Sequence, residues 1–275
     1  MIFIKERVGK LISDIKEQIY TDILPVGGYR FLKTRERFDD IRNLNTDSWA
    51  VLKKGELWGG HREYFWFETT VTLPESFEGK CAVYELKTGR EGEWDATNPQ
   101  FSIFVNGKRI QGLDVNHREV ILTESARAGE TFRIVLSAFT GDHNFRLVMD
   151  SCVKVLHRAT EKYYYDISVP YEVARLLPSE SREFRDIILT LNESLNLLDL
   201  RREHSPEYEA SLKQAQEYME KEFYGKYTED CQEKVYCVGH THIDVAWLWT
   251  LAVTEDKAVR SFSTVLELMN QYPEY

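Results

Sequence analysis

The sequence predicts a multidomain protein with an N-terminal all-β sandwich of jelly-roll type, a helical connector, and the first β-α unit of an α/β, barrel-like domain. Short strand-like runs separated by Gly, Pro, Asn and Asp fill residues 29–160. Apolar residues at three- and four-residue steps dominate 161–233. An apolar run, a polar stretch and a helical pattern follow in that order in 234–275, as at the opening of an α/β domain.

Residues 1–28 are predicted to hold an amphipathic helix. Apolar side chains recur there at near-helical spacing among charged ones: Leu11, Ile12, Ile15, Ile19 and Ile23. Such a stripe has to be buried, so we expect the helix to pack on the segment that follows.

Six runs in the second region are rich in β-branched and aromatic residues and are predicted to be strands. They are 64–73, 81–86, 101–105, 119–122, 131–137 and 145–149. The dipeptide Asn106-Gly107 tolerates positive φ at both positions and therefore predicts a tight hairpin turn. Regular short strands with such turns are typical of a sandwich or jelly roll.

Three helices are predicted further along the chain. One apolar stripe runs from 183 to 200, and a second helix is expected over 206–223, with Ser205 as its cap and Pro206 in its first turn. A strand at 235–238 and a helix from about 255 to 271 complete the pattern. Because one strand and one helix cannot enclose a core, we interpret 234–275 as the start of a larger α/β domain.

The composition bears on partners and location. With 45 acidic and 35 basic residues the net charge is -10, which disfavours nucleic acid and anionic membranes as partners. The apolar stretch at the N-terminus is too short for a signal peptide. No other apolar stretch in the sequence approaches the length that a membrane-spanning helix needs. The four cysteines, Cys81, Cys152, Cys231 and Cys237, are scattered and do not resemble the dense pattern of a disulfide-bonded secreted domain. We therefore predict a cytoplasmic protein. The sequence leaves open whether the protein forms a homo-oligomer.

The alternation of His240, His242 and Asp244 is the strongest chemical pattern in the chain. In extended backbone, residues spaced by two share one face, so two imidazoles and a carboxylate would converge there. Zinc and similar divalent cations take such nitrogen and oxygen ligands. The remaining histidines have no partner at metal-ligand spacing in the sequence: His61, His117, His143, His157 and His204.

Residues 240–249, His-Thr-His-Ile-Asp-Val-Ala-Trp-Leu-Trp, and the helix from Arg260-Ser-Phe-Ser onward resemble the opening of the catalytic domain of glycoside hydrolase family 38, the class II α-mannosidases. Upstream, Trp58-Gly-Gly and Tyr64-Phe-Trp-Phe resemble, more weakly, the β-domain that precedes it in the cytosolic and bacterial branch. The chain is therefore similar to an N-terminal portion of such an enzyme.

The resemblance implies roles for individual residues. His242 and Asp244 match the family's ligands for a divalent metal, usually zinc, while His240 matches a position beside the site. Trp247 matches the aromatic residue that contacts the sugar. The resemblance also implies a retaining exo-α-mannosidase for oligosaccharides with terminal α-mannose. It places the nucleophilic aspartate downstream, so we expect no catalytic residue in this chain and no activity from it alone.

Two other interpretations remain open. Metal-dependent amidohydrolases and deaminases also carry His-x-His after their first barrel strand, which would make His240 a zinc ligand beside His242. Alternatively, the sandwich is a carbohydrate-binding module with a platform of exposed aromatic residues. Candidates for that platform are Trp58, Trp66, Trp94 and Tyr84, although aromatic residues in strands more commonly belong to a core.

Overall fold

The computed structural model describes residues 2–94, 98–226 and 234–273. These residues form twelve strands and five α-helices. The chain divides into two compact units, one of Met1–Thr21 with Leu156–Val238 and one of Asp22–Val155 with Gly239–Tyr275. The first unit is helical, and the second is built mainly from sheets.

Four helices share the core of the first unit: α1 Ile2–Glu17, α2 Arg158–Leu176, α3 Arg182–Asn196 and α4 Pro206–Met219. A π-helical turn, Glu220–Gly225, continues α4. Ser181 and Ser205 cap α3 and α4 by accepting a backbone N–H three residues on, which satisfies one of the free donors at each helix start. The predicted helices of this region are thereby confirmed, with the predicted cap at Ser205.

The first helix differs from its prediction in length and in partner. It ends at Glu17, and Ile23 instead lies in a strand, where its side chain is exposed. Val8, Ile12 and Ile15 form the buried stripe and pack against α2 and α3, which are distant in sequence, rather than on the segment that follows. Those helices present complementary apolar faces, and a pattern within one helix does not identify its partner.

Helix α2 lies almost entirely within the predicted helical connector, 161–233, but no individual helix was predicted at its position. Its sequence, Arg158 to Leu176, contains three consecutive tyrosines, several β-branched residues and Pro170, a composition that disfavours a helix interior. Burial of Tyr163, Ile167 and Ala174 in the four-helix core outweighs that local preference.

The second unit is a β-sandwich, as predicted. A six-stranded sheet has the order β3-β2-β5-β10-β7-β8, a four-stranded sheet has the order β1-β12-β6-β9, and β11 pairs with β4. The strands are β1 Tyr20–Pro25, β2 Gly28–Lys33, β3 Ala50–Lys53, β4 Leu57–Gly60, β5 Tyr64–Thr72, β6 Cys81–Lys87, β7 Gln100–Val105, β8 Lys108–Leu113, β9 Glu119–Thr123, β10 Thr131–Phe139, β11 Phe145–Val148 and β12 Asp150–Leu156. All six predicted strands are present, and the six others carry weaker patterns.

The hairpin between β7 and β8 forms at Asn106-Gly107, as predicted. Both residues have positive φ, 51° and 82°, which is the turn conformation that matches the twist of the flanking strands. This turn sets the position of β8, the strand on which the functional region rests.

Three of the four candidate platform aromatics belong to the core. Trp58, Trp66 and Tyr84 are 4%, 5% and 0% exposed, so none of them presents a face to a sugar. Trp58 lies edge-on against Phe67. The prediction of a sugar platform made of these three side chains is therefore wrong. The fourth candidate, Trp94, is 56% exposed.

The fifth helix, α5, runs from Leu251 to Gln271 and begins at its cap, Thr250. Among the described residues, no helix combines the length and the apolar composition that crossing a membrane requires.

Candidate functional site

The segment that carries the histidine motif lies in irregular backbone. Residues 234–250 form neither helix nor strand, so the strand predicted at 235–238 is wrong. Val235, Tyr236 and Val238 are each at least 85% exposed. A strand is stable only when its N–H and C=O groups pair with a neighbour, and no described strand pairs with this segment. The helical half of the predicted β-α unit, α5, is present.

Helix α5 is anchored on β8 of the sandwich through a glycine. The backbone N–H of Gly112 donates to Thr264 Oγ1 at 3.1 Å, and a Cβ at position 112 would lie 2.9 Å from Arg260 Cβ. The absence of a side chain at Gly112 is what permits this close approach.

A buried polar cluster completes the anchor. Arg260 Nη2 donates to Gln100 Oε1 at 2.6 Å, and Lys257 Nζ donates to the same oxygen at 3.0 Å. Burial lowers the pKa of Arg260 to about 10, so the guanidinium stays charged at neutral pH. A buried charge is tolerated only when it is hydrogen-bonded, so this cluster fixes the position of α5 on the sheet.

The turn between the motif and α5 is held by Thr254 and Trp249. Thr254 Oγ1 accepts from the N–H of Ala246 and from Trp249 Nε1, both at 3.1 Å. Ala246 has a φ of 56°, a conformation that alanine rarely adopts. Lys257 Nζ lies 4.1 Å from the centre of the Trp249 ring. These contacts determine where the residues on either side of the turn lie.

His242 and Asp244 lie together, as the two-residue spacing predicts. His242 Nε2 is 3.2 Å from Asp244 Oδ1, and the side chains are 74% and 42% exposed. The ring of His240 lies 6.4 Å from that of His242. Two ligands on one tetrahedral zinc, with bonds of about 2.0–2.1 Å, are separated by about 3.3 Å. The His242–Asp244 pair therefore fits a divalent cation in donor type and in spacing.

A groove of about 530 Å³ lies beside this pair. Its wall combines the motif, α5 and side chains of the sandwich, including Trp94, Gln100 and Asp114. The Trp94 and Trp247 rings meet edge to face at 5.5 Å, and Trp247 is 52% exposed. The groove lining thus combines aromatic and polar side chains, a combination that suits a sugar ring.

Asp114 is the second carboxylate among the described groove residues. It accepts hydrogen bonds from the backbone N–H groups of Asn116 and His117 at 2.8 and 2.7 Å. Burial opposes its ionisation, but these hydrogen bonds and the nearby His117 lower its pKa below the ordinary value. Asp114 is therefore an ionised, hydrogen-bonded carboxylate in the groove wall.

The sequence did not identify Asp114, Gln100 or Arg260 as groove residues. Gln100 lies on β7, Asp114 follows β8 and Arg260 lies on α5, so only the fold brings them together. The isolated motif carries no information about which part of the sandwich faces it. The prediction that His157 and His204 have no partner at metal-ligand spacing is also wrong in three dimensions, because the two side chains meet Glu209 in the helical unit.

The model of the family described as glycosyl hydrolases family 38 N-terminal domain matches residues 232–275. Alpha-mannosidase G of Dictyostelium discoideum is 24% identical over 302 residues, which cover 98% of this chain and 26% of that protein. Alpha-mannosidase 2C1 of Homo sapiens is 23% identical over 297 residues, covering 98% and 27%. An alpha-mannosidase of Saccharomyces cerevisiae is 31% identical over 122 residues, covering 41% and 11%.

These similarities confirm the resemblance to the family 38 α-mannosidases and extend it over nearly the whole chain. The chain spans about a quarter of the length of the first two relatives.

Proposed function

We propose that this chain, a relative of the family 38 α-mannosidases, forms the N-terminal part of a metal-dependent, retaining exo-α-mannosidase that hydrolyses terminal α-mannosides of oligosaccharides. The observation that supports it most directly is the His242–Asp244 pair, 3.2 Å apart within the segment matched by the family model. The names of the relatives support the substrate class.

In this proposal His242 and Asp244 hold one divalent cation, with Zn²⁺ as the expected ion. When bound, the cation supplies a template and positive charge for neighbouring hydroxyl groups of the sugar. The imidazole contributes a neutral nitrogen and the carboxylate a negative charge, a donor set that zinc accepts. The exposure of both side chains leaves them accessible to an ion and a substrate.

Trp247 provides the apolar wall on which the sugar ring lies. Trp247 lines the groove, is 52% exposed, and meets the Trp94 ring in an edge-to-face contact. Aromatic faces bind the C–H faces of a hexose and exclude water there. The groove lining also contains two charged side chains, the buried Arg260 and the hydrogen-bonded Asp114.

A cytoplasmic location belongs to the same proposal. Cys152 and Cys237 are free thiols, as expected in a reducing compartment. Burial raises the pKa of Cys152 to about 11, which keeps it protonated and unreactive at neutral pH.

The proposal is tested by assaying the full-length protein on aryl α-mannoside, aryl β-mannoside and aryl α-glucoside. We expect turnover of the α-mannoside, loss of turnover after chelation and recovery with Zn²⁺. A retaining mechanism keeps the anomeric configuration of the substrate, so proton NMR should detect α-mannose as the first product, before mutarotation. Hydrolysis of the three substrates at equal rates, or initial release of the β-anomer, would contradict the proposal.

A further inference from the structure

Three potential metal ligands converge in the helical unit, apart from the His240–Asp244 motif. His157, His204 and Glu209 each place one ligand atom within 4.8 Å of the others. The sequence did not identify the two histidines as metal ligands, because they lie far from each other along the chain. The cluster consists of residues of one compact unit.

The fold holds each of these residues by its backbone. His157 stands between β12 and α2, where its N–H donates to the carbonyl of Ile19 at 2.9 Å. His204 precedes the α4 cap with a φ of 52°, a conformation that histidine adopts more readily than most residues. Glu209 lies at the start of α4, and its N–H donates to the Ser205 carbonyl at 2.9 Å.

The distances suit a small tetrahedral ion. The rings of His157 and His204 stack 3.5 Å apart at 15°, and His204 Nδ1 lies 4.0 Å from Glu209 Oε1. Two ligands of one zinc ion lie about 3.3 Å apart, given bonds of about 2.0–2.1 Å. The ligand atoms are therefore close enough together for one ion, and the two stacked rings would rotate so that their in-plane nitrogen lone pairs point at it.

Neighbouring side chains also contact the two histidine rings. His157 Nε2 is 2.9 Å from Thr21 Oγ1, a hydrogen bond that orients the ring. The ring of Tyr208 lies 5.4 Å from that of His204, at 69°. The Glu209 side chain is 46% exposed, so a fourth position is open to water.

We propose that His157, His204 and Glu209 bind one divalent cation, best matched by Zn²⁺, with water as the fourth ligand. Two neutral imidazoles and one carboxylate form the donor set typical of a three-ligand zinc site. The ion connects the start of α4 to the junction between β12 and α2 and thereby stabilises the helical unit. The proposal does not depend on the mannosidase assignment.

The test uses the 275-residue chain with His242→Asn and Asp244→Asn, so that the motif cannot contribute. Zn²⁺ binding is measured by calorimetry, and Co²⁺ is added as a spectroscopic probe of tetrahedral coordination. We expect one ion per chain, an intense visible Co²⁺ absorption, and a higher thermal unfolding midpoint with Zn²⁺ present. A failure of the mannosidase assignment would not alter any of these results.

Variants of the cluster separate a site from adventitious binding. His204→Asn removes the imidazole but retains a residue that tolerates positive φ, and we expect it to abolish binding. Glu209→Gln should weaken binding by more than tenfold, and Thr21→Val should weaken it about tenfold through loss of ring orientation. Glu207→Gln makes the same charge change on the same helix turn and should leave affinity unchanged.

Circular dichroism without metal establishes that each variant is folded. If His204→Asn loses its helical spectrum, the test rests on the metal affinities of two variants at exposed positions, Glu209→Gln and its control Glu207→Gln. Absence of stoichiometric binding in the motif-deficient chain would overturn the proposal. Equal affinities of Glu209→Gln and Glu207→Gln would do the same.

Discussion

The pair His242 and Asp244 shows what a two-residue spacing predicts at the scale of single residues. Their side chains meet at 3.2 Å although no strand forms around them. The two side chains therefore meet without the strand on which the prediction rested, and the His240 ring lies 6.4 Å from that of His242. Their surroundings could not be predicted in the same way, because Trp94, Asp114 and Arg260 come from distant parts of the chain.

Replacement of Trp247 tests the proposed sugar contact. In the full-length protein, Trp247→Ala should raise KM for an aryl α-mannoside about tenfold, equivalent to about 1.4 kcal/mol, because the ring face binds ground state and transition state alike. We expect kcat to change less than KM. Leu248→Ala, the adjacent substitution, serves as control in the same kinetic assay, and an equal rise in KM for both variants would exclude a specific role of Trp247.

The ionised state of Asp114 predicts a pH-dependent stability. Its folded pKa is below the ordinary value of 3.8, so its contribution is complete above that value and is lost as the pH falls through the folded pKa. Asp114→Asn should lower the free energy of unfolding at pH 7 by about 1–2 kcal/mol. In urea unfolding, the difference in the free energy of unfolding between the parent protein and Asp114→Asn should become smaller below about pH 4.

The exposed Asp39→Asn is the control for this series and should stay within about 0.5 kcal/mol of the parent protein at pH 7. A gap for Asp114→Asn that widens on acidification would contradict the assigned direction of the pKa shift.

At the scale of elements, the contact between α5 and β8 determines where the motif lies. Gly112 permits the approach, and the hydrogen bond to Thr264 together with the Arg260–Gln100 pair maintains it. The motif ends where α5 begins, so the groove depends on this contact.

Gly112→Ala should lower the free energy of unfolding by about 1–3 kcal/mol, because the new methyl group overlaps Arg260 Cβ, which the helix backbone holds in place. Gly27→Ala is the matched control: a Cβ there meets nothing within 4 Å, and the change should be neutral or stabilise by up to about 1 kcal/mol. Urea unfolding of both variants distinguishes overpacking from a general effect of alanine. Equal stabilities would show that α5 does not approach β8 so closely.

The elements also show which local patterns are sufficient. Six strands, the Asn106-Gly107 turn and the capped helix at Ser205 were predicted, because their patterns and turn residues agree with the tertiary structure. The bounds of α2 were not predicted within the helical connector, because burial in the four-helix core outweighs an unfavourable local sequence. The strand at 235–238 failed for the opposite reason, since its apolar pattern has no pairing partner among the described strands.

At the scale of the molecule, the chain comprises a four-helix unit and a β-sandwich that carries the motif and α5. Each unit has its own apolar core, and the two cores were partly predictable from periodicity. The proximity of the N-terminal helix to α2 and α3 was not, because it depends on pairing between segments separated by more than a hundred residues.

We predict that the purified 275-residue chain does not hydrolyse an aryl α-mannoside. A retaining glycosidase needs two carboxylates about 5–5.5 Å apart. Among the described residues of the groove, the carboxylates are Asp114, which is engaged by backbone N–H groups, and Asp244, which is assigned to the metal. Metal-dependent turnover by this chain would show that the chemistry needs no further residues.

We propose that His242 and Asp244 hold a catalytic divalent ion, and the zinc content of the full-length protein is the measurement that checks this. We expect His242→Asn and Asp244→Asn each to contain one zinc fewer per chain than the parent protein and to lose α-mannosidase activity. His240→Asn should retain the full zinc content, whereas the amidohydrolase interpretation requires it to lose that ion. Unchanged zinc content and unchanged turnover in the His242→Asn and Asp244→Asn variants would contradict the account.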